Sequence, residues 1–136
     1  MTDHLEGGCQ CGELRYRVQG EPSYVALCHC ADCRKSSGAP VVAWAAFPEG
    51  RFAMVKGEAQ GFNSSGAAWR YFCPRCGTGL YYRNAEVLPR LVDIQSATLD
   101  DPAALPPQIH VQTAERIGWM DSMGALAQFE RYPSGE

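Results

Sequence analysis

Seven cysteines set out as two, three and two constrain this chain more than any other feature of it. They read Cys9-Gln10-Cys11, Cys28-His29-Cys30-Ala31-Asp32-Cys33 and Cys73-Pro74-Arg75-Cys76. An odd number cannot all pair as disulfides, and the polar start from Met1 to Gly8 holds no apolar stretch of the kind a secretory signal needs. The expected location is cytoplasmic, where thiols stay reduced and clustered cysteines bind metal instead.

A structural zinc takes four ligands in a closed tetrahedron, commonly two from each of two short knuckles far apart in sequence. The outer pairs meet that count, so Cys9, Cys11, Cys73 and Cys76 are assigned to one closed site. Gly12 and Gly77 follow those pairs, where a residue without Cβ lets backbone N–H groups turn toward a thiolate. The middle cluster keeps three thiols. Three protein ligands and an open position let zinc bind an incoming atom, which makes Cys28, Cys30 and Cys33 the candidate catalytic centre. The expected cofactor is therefore Zn2+, two per chain, one structural and one catalytic.

Other readings of the same residues stay open at this point. The outer knuckles can hold a single zinc as a plain ribbon, with the middle cysteines buried or oxidisable as a redox sensor. An iron–sulfur cluster fits less well, because the spacings match neither common ferredoxin pattern. His29 or His110 can close the middle site. His29, however, lies between two ligands, where an extended backbone turns its side chain to the opposite face. His4 falls in a terminus expected to be mobile. A non-catalytic zinc module that docks a protein partner is the rival from a different functional class.

At 136 residues, 46% of them hydrophobic and 20% charged, the chain is expected to form a single zinc-binding domain over residues 1–136. Twelve basic against fifteen acidic residues leave no basic stripe for nucleic acid. The longest apolar run, Pro40 to Phe47, falls well short of the roughly 20 residues that span a bilayer.

Leu14, Tyr16 and Val18 alternate with polar neighbours from Glu13 to Gln19, the period of a half-buried strand. Further strands are predicted at 23–28, 40–47, 51–56, 58–63, 67–73, 80–83, 88–95 and 109–112. The piece at 40–47 is apolar enough to be covered on both faces, and Pro89 places part of 88–95 at an edge. The stretch after Cys28 reads as a knuckle loop broken by Gly38-Ala39-Pro40. One helical turn fits at 101–105. A last strand is predicted at 125–129, packed with Trp119, and Trp44 and Trp69 are likewise expected in the core. The sum is a mostly β domain of short antiparallel strands.

The three clusters with their neighbours resemble the glutathione-dependent formaldehyde-activating enzyme and centromere protein V family. The residues that carry this are Gly8 to Gly12 with Arg15-Tyr16, Cys28 to Lys35 with Gly38-Ala39-Pro40, Phe72 to Leu80, and late in the chain Ile109-His110-Val111 and Trp119. The resemblance implies a β-tent of the Mss-four-like type, with one zinc on four cysteines and another on three. It also implies a carbon–sulfur lyase of the S-(hydroxymethyl)glutathione synthase type, which joins a small thiol such as glutathione to an aldehyde such as formaldehyde. Three thiolates on a divalent ion carry net charge −1. Arg34 and Lys35, directly after the last ligand, are the candidate groups to offset it or to bind a substrate carboxylate.

Overall fold

The structure, a computed structural model, describes residues 4–133. Among these residues ten strands form two sheets: β1 (His4–Gly8), β2 (Arg15–Gln19), β3 (Tyr24–Cys28), β4 (Val42–Pro48), β5 (Phe52–Lys56), β6 (Gln60–Ser65), β7 (Ala68–Phe72), β8 (Gly79–Asn84), β9 (Leu88–Gln95) and β10 (Ile109–Val111). One α-helix, α1 (Ala31–Ser37), sits between β3 and β4. The small sheet runs β1-β2-β5 and the large one β10-β3-β4-β9-β8-β7-β6.

The predicted period of two places the core correctly. Tyr16 and Val18 of β2 are buried, and they meet Val25, Phe47, Leu80 and Ile94 from the large sheet. The small sheet thus covers one face of the large sheet, and apolar area removed from water there is the main source of stability. The Tyr16 hydroxyl, at the bottom of this layer, bonds Thr98 Oγ1 at 2.8 Å, so its polar tip is not left unpaired. β4 is flanked by β3 and β9 and is buried along most of its length, as its apolar composition requires. Pro89 lies on the part of β9 beyond the end of β4, where no neighbour needs its missing N–H.

Four expectations are corrected. The N-terminal stretch is strand β1, paired antiparallel with β2 from His4↔Gln19 to Gly8↔Arg15. Its backbone supplies that pairing, while its single large apolar residue, Leu5, gives no alternation to read. The stretch after Cys28 is α1, a helix of two turns defined by its ends and lacking an apolar stripe. Cys30 is its N-cap, Glu115 Oε1 accepts from the N–H of Ala31 at 2.6 Å, and Gly38 ends it in the left-handed conformation.

The third correction is that β10 pairs parallel with β3, so the large sheet is mixed. Parity along one strand cannot reveal the direction of its neighbour. The fourth is that residues 125–129 form no strand. Trp119, Leu126 and Phe129 are all more than half exposed, and Trp69 is also exposed while Trp44 is buried. No helix among the described residues is long and apolar enough to cross a membrane.

Phe47→Ala is expected to destabilise the protein by about 3–5 kcal/mol and Trp119→Ala by about 0.5 kcal/mol or less, read as the shift in urea midpoint.

Candidate functional site

Two hairpin tips bring the outer cysteines together. Cys9 and Cys11 sit in the β1–β2 connection, and Cys73 and Cys76 in the β7–β8 connection. Their four sulfurs lie within 4.8 Å of one another. The Cys9–Cys11 and Cys11–Cys73 sulfur separations are 3.6 and 3.8 Å. The edge of a tetrahedron with zinc–sulfur bonds of 2.3 Å is about 3.8 Å, so these two separations are of the size a zinc-holding donor set has.

Backbone N–H groups converge on the sulfurs: Leu14 on Cys9 at 3.2 Å, and Arg75 and Cys76 on Cys73 at 3.4 Å each. Gly12 and Gly77 have φ of 81° and 84°, the left-handed turn that reverses each knuckle. Their own N–H groups go to the carbonyls of Cys9 and Cys73, and it is the neighbouring amides that face sulfur. The Thr78 hydroxyl beside Cys76 holds that thiol down at about 5, which favours the thiolate a metal requires.

The middle cluster is built by the end of β3 and the first turns of α1. Cys28 is the last residue of β3, Cys30 caps the helix, and Cys33 lies on its buried side. Their sulfurs also lie within 4.8 Å of one another, with no fourth His, Cys, Asp or Glu donor joining them among the described residues. The Cys28–Cys33 separation is 3.6 Å, again close to a tetrahedral edge. Cys33 donates to Cys28 across that gap, which lowers the Cys28 thiol and raises its own.

His29 turns away from the cluster, as its position between two ligands predicts. Its buried ring bonds His110 on β10, Nε2 to Nδ1, at 2.9 Å. Burial, and then the Arg116 charge, keep His29 below its ordinary range, and the contact clasps the β3 end to β10.

The three thiols open on a cavity of about 570 Å³. Its floor is the face of the large sheet opposite the core, because residues directly across from each other in a sheet point to the same side. One row crosses Cys28 and Val42, the next Ala26, Trp44 and Gln95, and the next Tyr24, Ala46, Asp93, Tyr82 and Arg70. Arg34 and Lys35 are not among the lining residues. Arg34 instead ties α1 to the carbonyls of His29 and Glu115, and Lys35 is exposed.

The cation that does face the cluster is Arg70. Its guanidinium stacks over Tyr82 at 4.9 Å and points one nitrogen at Cys33 Sγ from 3.9 Å, while its Nε is buried without a partner. The sequence separation of 37 between Arg70 and Cys33 hides this pairing from any local reading. Asp93 was equally hidden, as a polar residue between Val92 and Ile94 in a strand that also carries Arg90 and Gln95. It is 6% exposed, and burial pushes its carboxyl up to about 7 against the opposing effect of the Tyr24 hydroxyl.

Residues 4–115 match the family model described as glutathione-dependent formaldehyde-activating enzyme. A protein of Halomonas elongata named "Putative glutathione-dependent formaldehyde-activating enzyme" is 29% identical over 86% of this chain and 80% of its own length. A Schizosaccharomyces pombe protein named as an uncharacterized lyase is 32% identical over 57% of this chain and 56% of its own length. The crystal structure of a Rhodobacter sphaeroides protein superposes with a TM-score of 0.60 at 21% identity, covering 79% of this chain and all of that one, a likeness of fold. With a family match that spans both cysteine clusters and the cavity between α1 and the large sheet, the chain belongs to the glutathione-dependent formaldehyde-activating enzyme family.

Proposed function

We propose that the protein is a zinc-dependent carbon–sulfur lyase that adds a small thiol, glutathione or a similar molecule, to an aldehyde such as formaldehyde, or releases it. One observation carries this reading: three converging cysteine sulfurs, with no fourth protein donor among the described residues, face a cavity large enough for a small molecule. A site meant only to hold the fold has a complete protein ligand set, as the four outer cysteines can provide.

In this reading Cys9, Cys11, Cys73 and Cys76 hold a structural ion, and Cys28, Cys30 and Cys33 hold the second. When bound there, zinc supplies Lewis acidity and a free coordination position that favours a thiolate at neutral pH. The chain's own residues do the rest. The N–H of Cys33 donates to Cys30 Sγ at 3.3 Å and so supports its negative charge. Arg70 offsets the net charge of −1 left by three thiolates on a divalent ion, the role that the sequence suggested for Arg34 and Lys35. Trp44 and Tyr82, their rings 5.9 Å apart, form an apolar floor that lowers the local dielectric and orients the thiol.

Purified protein is expected to carry about two zinc ions per chain, measured by elemental analysis. Cys30→Ser should remove one while the circular dichroism spectrum is kept, and Cys76→Ser should unfold the chain. Equal collapse of both variants would contradict the division of labour.

The zinc-loaded protein should also accelerate exchange between free formaldehyde and its glutathione adduct, followed by NMR. Arg70→Met should lower kcat/KM by roughly ten- to hundredfold with both metals retained. A wild-type rate no higher than the uncatalysed one would remove the lyase assignment.

A further inference from the structure

Asp93 stands out among the cavity residues that the reading above leaves unused. It lies on β9 in the interior of the large sheet, is more than nine-tenths buried, and its Oδ1 has no hydrogen-bond partner. Burial of an unpaired carboxylate is costly, and such groups are retained chiefly where a partner is to arrive.

Its place in the sheet decides what that partner is. Asp93 shares a row with Tyr24 across Ala46, and Tyr24 is four residues from Cys28 along β3, roughly 13 Å of extended chain. A carbonyl carbon bonded to a sulfur held at the three cysteines stays within a few Å of them, so Asp93 does not touch the reacting atoms. It faces the other end of whatever molecule extends from the cysteines across Trp44. The aromatic rings of Tyr24, Trp44 and Tyr82 line that stretch. A carboxylate with a vacant oxygen among aromatic faces suits a cation, which restores the missing opposite charge and is attracted to the rings.

We propose that the Asp93 end of the cavity is a subsite for a protonated amine, so that the substrate is a thiol whose ammonium group lies about a peptide residue or more from its sulfur. This rests on the reading that the sulfur docks at Cys28, Cys30 and Cys33. Compact aminothiols such as cysteamine cannot reach both ends.

The ionised carboxylate is the form that takes an ammonium. Affinity is therefore full above the free carboxyl's range near 7 and falls below it, by about tenfold per pH unit. The other ionisable groups facing this space are Tyr24 and Cys28 from β3, Tyr82 from β8, Arg70 from β7, Cys30, Asp32 and Cys33 at α1, and Glu115 after β10, whose carboxylate accepts from the Ala31 N–H; β4 offers Trp44 and Ala46, which do not titrate. Burial raises Tyr24 to about 12, so it stays neutral throughout the range tested.

The test is calorimetric binding of glutathione and of its N-acetyl derivative to the zinc-loaded protein between pH 5.5 and about 8, a range that brackets the carboxyl. Both ligands carry the same thiol, so their affinity ratio isolates the amine. Glutathione should bind at least roughly tenfold more tightly than the derivative at the upper end, with the ratio collapsing as pH falls. Asp93→Asn should abolish the ratio while leaving binding of the N-acetyl derivative within about twofold, which also shows the variant to be folded.

If both ligands bind equally to the wild type, the ammonium subsite is overturned and the thiol reading survives. Should Asp93→Asn fail to fold, the wild-type ratio and its pH dependence decide alone. If neither ligand binds, the thiol reading fails and the subsite fails with it.

Discussion

Four sulfurs from two hairpin tips meet at one point, and the arrangement of the two sheets depends on that meeting. Cys9 and Cys11 lie in a turn between strands of the small sheet, Cys73 and Cys76 in a turn between strands of the large one. Cys11 and Cys73 are 62 positions apart, and closing so long a loop costs configurational entropy that the interface between the sheets must offset. A metal ion held by all four thiolates couples that closure to metal binding, and free energy of the order of 10 kcal/mol is available from such sites. Around it the polar clasps are light: the Gln10 N–H reaches Thr78 Oγ1 at 3.1 Å, and the Arg15 guanidinium forms a two-pronged pair with Asp100 at 2.9 and 2.5 Å.

Once the small sheet covers one face of the large sheet, the other face is free to become something else. That face carries Cys28, Trp44, Asp93, Tyr82 and Arg70, while their neighbours along each strand, such as Val25, Ala45 and Ile94, fill the core. A sheet whose strands alternate sides lets one set of residues stabilise and the other set act, with little compromise between them. The three thiols of the middle cluster occupy the mouth of this face because α1 starts just after β3 ends. Glu115 and Gly38 hold the helix at its two ends, and the His29–His110 contact holds β10 beside it.

Much of this was visible in the residues themselves. Cysteine spacing separates into a four-thiol and a three-thiol group, and the structure brings together those same two groups. The strands at 15–19 and 88–95 follow from local alternation and composition because each buries its own apolar residues. The misses have separate causes. β1 and α1 are held by backbone pairing and by caps, neither of which leaves a periodic apolar trace. Trp119, Leu126 and Phe129 look apolar enough for a core, yet each is more than half exposed.

The sequence by itself therefore determined the division of the thiols into two groups able to hold a metal, and the mostly β character, because ligand type and strand period are local properties. Only the tertiary structure decided which charges meet the three thiols. Arg34 and Lys35 follow Cys33 directly in the chain but do not line the cavity, whereas Arg70 and Asp93 are brought to it by register across β7, β8 and β9. Pairing between strands sets that register, and a pairing is a property of two segments at once, so neither segment alone can encode it.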